Sequence, residues 1–381
     1  MRPLKLFRFA LMAFGSGLAL SACSGSTGEA VPQLFVAAGG QEIRLYNSLT
    51  LRPDRPEFAQ PLTPLATCNV GADILDLFFD QNARRLWVLT PSSLLRYDTS
   101  AIKEGPEIGQ IPSFDCNQTP LPTENLTQNL SPAFTCPSGY LRAGSSYLLV
   151  VCHDQGGANL RLWRPLLGTT GLTGSDQLNL SILATLTGNA RFTLGPGDGL
   201  AYVDGVSNSF TLGFFPSPTS TPTTFYQQSF TSTLVLPQLR DFRYPLGQQL
   251  YVLLSDNLGA NSESVTWNPT SSTATPSAPR RIPDRGLSTL TAGQGLIVGF
   301  GPKGFARLDG NTLLPGDNPA ESYQAGLISL DNYLYLGRGA DLVIYDLQGD
   351  PSLISPLGPK TLGFTPTHLA YGPVTLLTVN P

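Results

Sequence analysis

Histidine and methionine are scarce in this chain of 381 residues, with two of each, and lysine occurs only at Lys5, Lys103, Lys303 and Lys360. Two histidines, His153 and His368, cannot build the His-rich cages of zinc or copper sites. Charged residues make up 13% of the chain, too few for long helices with charge-laced outer faces, and 33 prolines and 39 glycines interrupt helices further. No sustained 3.6-residue apolar period follows the N-terminal segment, so the expected fold class is all-β. Phosphate-binding loops, dinucleotide-type Gly-x-Gly-x-x-Gly after a strand and Gly-x-Ser-x-Gly elbows are all missing. Gly195-Pro196-Gly197-Asp198-Gly199 reads as a turn before a strand.

What is present begins with Arg2, Lys5 and Arg8 ahead of an uncharged apolar run from Phe9 to about Leu20. That run is too short to span a bilayer comfortably and reads as a secretion signal. It ends in Leu20-Ser21-Ala22-Cys23, which resembles the lipobox of bacterial lipoproteins. The resemblance implies a signal peptide over residues 1–22. Cys23 would be the mature N-terminus, its thiol carrying the lipid, and residues 23–32 a flexible tether. An ordinary signal peptide with a chance cysteine is the competing reading. Ser24 resembles an outer-membrane sorting signal, so the expected location is exported and membrane-anchored, at the outer membrane or cell surface, facing periplasm or exterior. Taking three cations from 23 basic residues leaves 20 against 27 acidic ones, a net charge near −7. No basic face is expected, and nucleic acid is not an expected partner.

Residues 33–381 repeat one pattern: two short β-rich runs joined by a polar or glycine-rich turn. The pairs start at Leu34, Leu86, Leu148, Leu200, Leu250, Leu296 and Leu334, and an eighth start follows at Leu376. Successive starts are 52, 62, 52, 50, 46, 38 and 42 residues apart. Such a period, with three or four strands per unit, marks a β-propeller, whose small sheets bury their faces only against one another. Further runs from Ile74, Tyr140, Leu239, Leu287, Gly326 and His368 read as inner strands. The length suits seven blades of four-stranded antiparallel sheets, the chain ends sharing one blade to close the ring, with eight blades the runner-up. Ser/Thr/Pro-rich stretches from Pro216 and Asn268 read as exposed loops, and Glu104 to Pro137 as a third insertion.

Phe79-Asp80-Gln81-Asn82-Ala83-Arg84-Arg85-Leu86-Trp87-Val88 resembles the D-x-x-x-x-R-L-[YW]-V hairpin of YVTN and lactonase-type propellers. Asp80 and Asn82 suit the tight turn and Leu86-Trp87-Val88 the strand after it. By that resemblance an axial metal site held by Glu, Asn and Asp ligands is an alternative, with calcium the candidate ion.

Besides Cys23, an even set of cysteines, Cys68, Cys116, Cys136 and Cys152, predicts two disulfides in an exported chain. If Tyr140–Ala143 and Tyr147–Cys152 form a hairpin, Cys136 falls opposite Cys152, leaving Cys68 for Cys116. A Cys116–Cys136 clasp on the insertion is the open alternative. Asp76, Asp80, Asp204, Asp241, Asp256, Asp331 and Asp341 fall near strand ends, where a propeller could gather them into a calcium site or an acid–base pair. They do not recur at one blade position, and turn-forming and solvating roles are the leading account of them. His153 reads as a turn residue, and His368 as one that could face the channel. Neither a catalytic set nor a resident cofactor is identified. The expected function is a lipid-anchored, non-catalytic interaction or scaffold module with an envelope protein partner. The alternatives are a lactonase-like enzyme with an axial metal and a binder of envelope glycan through Trp87, Trp163 and Trp267.

Overall fold

The apolar runs alternate in a way that only stacked sheets satisfy. Leu34, Val36 and Ala38 enter one buried cluster while Phe35 and Ala37 enter another, so a single strand feeds two seams. A computed structural model of the chain describes residues 32–52, 62–105, 109–153, 160–217, 225–245, 247–308, 314–315, 320–347 and 356–375. Its strands form seven sheets, and seven apolar clusters fill the seams between neighbouring sheets. The second strand of a blade therefore has no solvent face: Leu148–His153 and Leu250–Ser255 are buried along their whole length.

Blade 1 joins the chain ends: His368–Pro373 is its inner strand, followed outward by Gln33–Gly39, Glu42–Asn47 and Ala66–Asn69. Leu34 stands opposite Gly372 and Ala38 opposite His368, which closes the ring and pairs the edges. Blade 2 comprises Asp76–Asp80, Arg85–Leu89, Leu94–Asp98 and Thr123–Asn125. The inner strands of blades 3 to 7 are Ser138–Ala143, Arg191–Leu194, Gln238–Arg243, Thr289–Gly293 and Ala325–Ile328. Seven blades are thus present and the eight-bladed alternative falls, because the terminal strands share one sheet. Cys23, the tether and the run from Leu376 lie outside the described residues.

Several expectations need correction. Blade 3 has three strands among the described residues, and a single bridge from Trp163 to Gln177 stands where a fourth would pair. The inner strand of blade 4, Arg191–Leu194, is four residues long and escaped the repeat pattern. The inner strand of blade 6 begins at Thr289 rather than Leu287. The insertion from Glu104 is not all loop, since it supplies the outer strand Thr123–Asn125. The stretch from Asn268 packs on its blade, with Trp267 Nε1 donating to the Ala274 carbonyl at 2.7 Å.

Each disulfide ties a segment of the insertion to a blade strand. Cys136 pairs with Cys152 (Cα–Cα 5.0 Å) and Cys68 with Cys116 (5.3 Å), so the Cys116–Cys136 clasp is excluded. Gly139 is required beside the first bridge: a Cβ there would meet Cys136 Sγ at 2.6 Å and collide with the Val151 carbonyl. The hairpin at Asp80 forms as read. Its carboxylate accepts the Asn82 and Ala83 N–H groups, both at 3.1 Å, and Arg84 takes a left-handed φ of 52°.

Candidate functional site: the axial channel

Each blade repeats one meander, so the seven inner strands run the same way and line a central channel, neighbour against neighbour. Its cavity is about 1300 Å³. The first residues of the inner strands, among them Asp76, Ser138, Arg191, Thr289 and His368, mark one mouth. The last, such as Asp80, Arg243 and Gly293, mark the other.

The most buried charges here form one network. Arg142 of blade 3 donates from Nη2 to Asp241 Oδ1 at 2.5 Å, and blade 5, which carries Asp241, is not its neighbour. The pair therefore reaches past blade 4, whose inner strand is short. Arg142 and Asp241 are 7% and 3% exposed, so this pair is screened little by water. Asp241 also receives Arg243 Nε at 3.3 Å and the Phe242 and Leu290 N–H groups, both at 2.8 Å, the latter from blade 6. Asp76 of blade 2 accepts the Leu141 N–H at 2.8 Å and lies 3.7 Å from Arg142 Nη1. Arg142 stacks 4.3 Å over the Tyr140 ring, and Tyr140 Oη accepts the Phe192 N–H at 2.8 Å. Burial alone would raise the Asp241 carboxyl. The guanidiniums of Arg142 and Arg243 and the two amide donors outweigh it and hold Asp241 below the usual carboxylate range. Burial, opposed by nearby guanidiniums, pushes the Tyr140 phenol up.

Of the seven acids singled out in the sequence, Asp76, Asp80 and Asp241 line the channel, and each is already engaged. The others are held elsewhere. Asp204 accepts from Thr187, Asp256 caps the turn at Ala260 and Asn261, Asp331 meets Arg52 at 2.9 Å, and Asp341 accepts Thr361 Oγ1 at 2.7 Å. Among the described residues no three His, Cys, Asp or Glu side chains gather as a metal site. Of the carboxylates that line the channel, Asp76 and Asp241 face guanidiniums and Asp80 caps its own turn, so the residues present do not fit an axial calcium ion. His153 and His368 both reach the channel wall, and His368 Nδ1 lies 2.9 Å from Thr367 Oγ1. Trp87, Trp163 and Trp267 are 0%, 4% and 1% exposed, which removes them as stacking platforms for glycan. Sequence reasoning missed the channel arginines, Arg142, Arg191, Arg240 and Arg243. Their signal was arginine inside the short inner runs from Tyr140 and Leu239.

A second feature lies on the face where the inner strands begin. Val206 in the second turn of blade 4, Val235 and Leu236 in the loop into blade 5, and Leu258 in the second turn of blade 5 are 68%, 75%, 60% and 80% exposed. Asn208 Nδ2 donates to the Leu234 carbonyl at 2.9 Å, and Ser232 Oγ to Glu263 Oε2 at 2.7 Å, which ties that loop to the turns on both sides. The four tips therefore lie on one face, with the loop into blade 5 tied to the elements on both sides. Gln33, where the described chain enters its first strand, pairs with Pro373 at the opposite face.

No protein-family model matches the sequence, and no curated protein sequence matches it. Solved structures do resemble it. One, described as a "putative 6-phosphogluconolactonase" from Bacteroides fragilis, superposes with a TM-score of 0.55 at 10% identity, covering 91% of this chain and 99% of its own. A functionally unknown protein of Desulfotomaculum acetoxidans gives 0.55 at 12% identity, over 90% and 99% of the two chains. AztD of Citrobacter koseri gives 0.50 at 11% identity, over 90% of this chain and 98% of its own. At these identities the likeness is one of fold, and this chain shares its propeller architecture with all three.

Proposed function

We propose that the protein is an exported, lipid-anchored propeller of the bacterial envelope that serves as a non-catalytic protein-interaction module. The observation that carries this reading is the cluster of exposed apolar tips, Val206, Val235, Leu236 and Leu258, fixed on the face opposite the one where Gln33 enters. Large apolar side chains held rigidly in water are favoured where a partner covers them. A tether through Cys23 would leave from the other face, which turns the tips away from the anchoring membrane and favours a protein as their occupant. The internal pairing of the channel acids supports the non-catalytic part, since Asp76, Asp80 and Asp241, the acids that line the channel among the described residues, are all engaged.

The test is native size. The full chain is extracted from envelopes in mild detergent and separated without denaturation, beside a Leu236→Asp/Leu258→Asp variant. A fixed-ratio complex that the variant loses while keeping its thermal midpoint is expected. A lone particle for the wild type, or an unchanged complex for the variant, would overturn the reading. For the anchor, Cys23→Ala is expected to leave the membrane fraction, and a variant that stays there contradicts lipidation.

A further inference from the structure

Two of the channel arginines differ from the pair that grips Asp241. Arg191 opens the inner strand of blade 4, and its Nε donates to the backbone carbonyl of Arg240 on blade 5 at 3.5 Å. Its remaining hydrogen bonds go to the carbonyls of Asn189 and Ala190, both long at 3.4 Å. Arg240 Nε donates to Ser255 Oγ. Neither side chain forms an ion pair among the described residues, whereas Arg142 and Arg243 both meet Asp241. Asp256 acts on Arg240 only from a distance, and its carboxylate already receives the Ala260 N–H at 2.7 Å and the Asn261 N–H at 3.0 Å. Two partly buried guanidiniums thus stand side by side in the wall of an open cavity, and mutual repulsion disfavours that arrangement unless an anion sits between them. Burial and the charge of Arg191 push the Arg240 guanidinium down from its ordinary value, as expected for an uncompensated pair.

We propose that Arg191 and Arg240 form a binding site for a small oxyanion, the carboxylate or phosphate group of a compact polar molecule, at this mouth of the channel. A guanidinium fork presents paired N–H donors that match two oxygens of either group. Ser138, Asn189, Ser288 and His153 line the same mouth and supply polar contacts for the rest of the molecule. The cavity, about 1300 Å³, admits a molecule of small-metabolite size. The Arg142–Asp241 pair stands in the same channel, Asp241 next to Arg240 on the inner strand of blade 5. The inference is independent of the partner face, because the two use different side chains.

The test uses the full chain in mild detergent, titrated calorimetrically with sodium phosphate and separately with sodium citrate, ionic strength held constant with chloride. Saturable binding of at least one probe is expected, accompanied by a rise in thermal midpoint. Response to citrate alone assigns a carboxylate ligand, and response to phosphate alone a phosphate. An Arg191→Met/Arg240→Met variant is expected to bind at least tenfold more weakly, with an unliganded midpoint equal to or above the wild type because repulsion is relieved. Arg240→Lys, which keeps the charge and loses the fork, is expected to fall between them and serves if the double variant does not fold. No saturable response to either probe would overturn the proposal, as would affinity unchanged in either variant.

Discussion

The inner ring closes in two different ways on its two sides. The inner strands of blades 2 to 5 carry Asp76, Asp80, Arg142, Arg191, Arg240, Asp241 and Arg243, and ion pairs from Arg142 join blade 3 to blade 2 and, past blade 4, to blade 5. Those of blades 6, 7 and 1 read Thr-Leu-Thr-Ala-Gly, Ala-Gly-Leu-Ile and His-Leu-Ala-Tyr-Gly-Pro, and they close by near approach of small residues. A Cβ on Gly326 would collide with the Phe300 ring, and one on Gly372 with the Phe79 ring, so these glycines let aromatic rings of a neighbouring blade seat directly on the inner strand. A ring of sheets can thus be locked either by charges paired between inner strands or by removing the side chains that would hold neighbouring blades apart. Both sides line the one channel cavity, the first with guanidiniums and carboxylates and the second with uncharged groups such as Thr289, Thr291 and Gln324.

The comparison breaks most sharply at Asp241. Asp241→Ala leaves Arg142 and Arg243 facing each other without their shared acceptor, and a loss of about 3–5 kcal/mol in denaturant-measured stability is expected. Thr289→Val on the neutral side should cost no more than about 1 kcal/mol in the same measurement. Equal costs at the two positions would contradict the distinction. All four bridged cysteines lie on or between blades 1 to 3, in the arc where the charged side meets the N-terminal strands. The bridges close loops of 48 and 16 residues, and serine replacement of each pair should cost roughly 4 and 3 kcal/mol respectively by the chain-entropy relation. Thermal or denaturant midpoints would check that order.

Acid should act on the charged side alone. The Asp241 carboxyl is lower in the folded than in the unfolded chain, so the unfolded chain binds the proton first. The stability it contributes is complete above the unfolded value, near pH 4, and declines as pH falls below it towards the folded value. The thermal midpoint is therefore expected to drop below about pH 4, and Asp241→Asn should flatten that decline. A variant with the same acid slope as the wild type would show that other carboxyls govern it.

Much of this architecture is legible in the sequence because two-sided burial writes itself into the second and third strands of each blade. Runs such as Leu148–His153 are apolar enough to be found without a structure, and their spacing counts the blades. The shared terminal blade follows from the unpaired first and last runs. Inner strands are harder: they face a channel, so Arg191–Leu194 shows neither a long apolar run nor a clean alternation. The Cys136–Cys152 pairing was among those left open by the sequence and is the one found, but the register differs: Gly139 stands opposite Cys152, and Cys136 reaches it from just before the strand. The channel network was not, because Arg142 and Asp241 stand 99 residues apart on blades that do not touch in the ring order. Asp76, Asp80 and Asp241 were named as candidate acids, but Asp76 and Asp241 are partnered by arginines, which carry no local pattern, and Asp80 by the amides of its own turn.

The central claim is that the axial acids are committed to arginines and amides and not to a metal ion. The most direct test is the thermal midpoint of the full chain in mild detergent, measured in chelator and then across a calcium titration. An unchanged midpoint throughout is the predicted result. A midpoint that falls in chelator and rises saturably with calcium would contradict the account and place a metal on the axis.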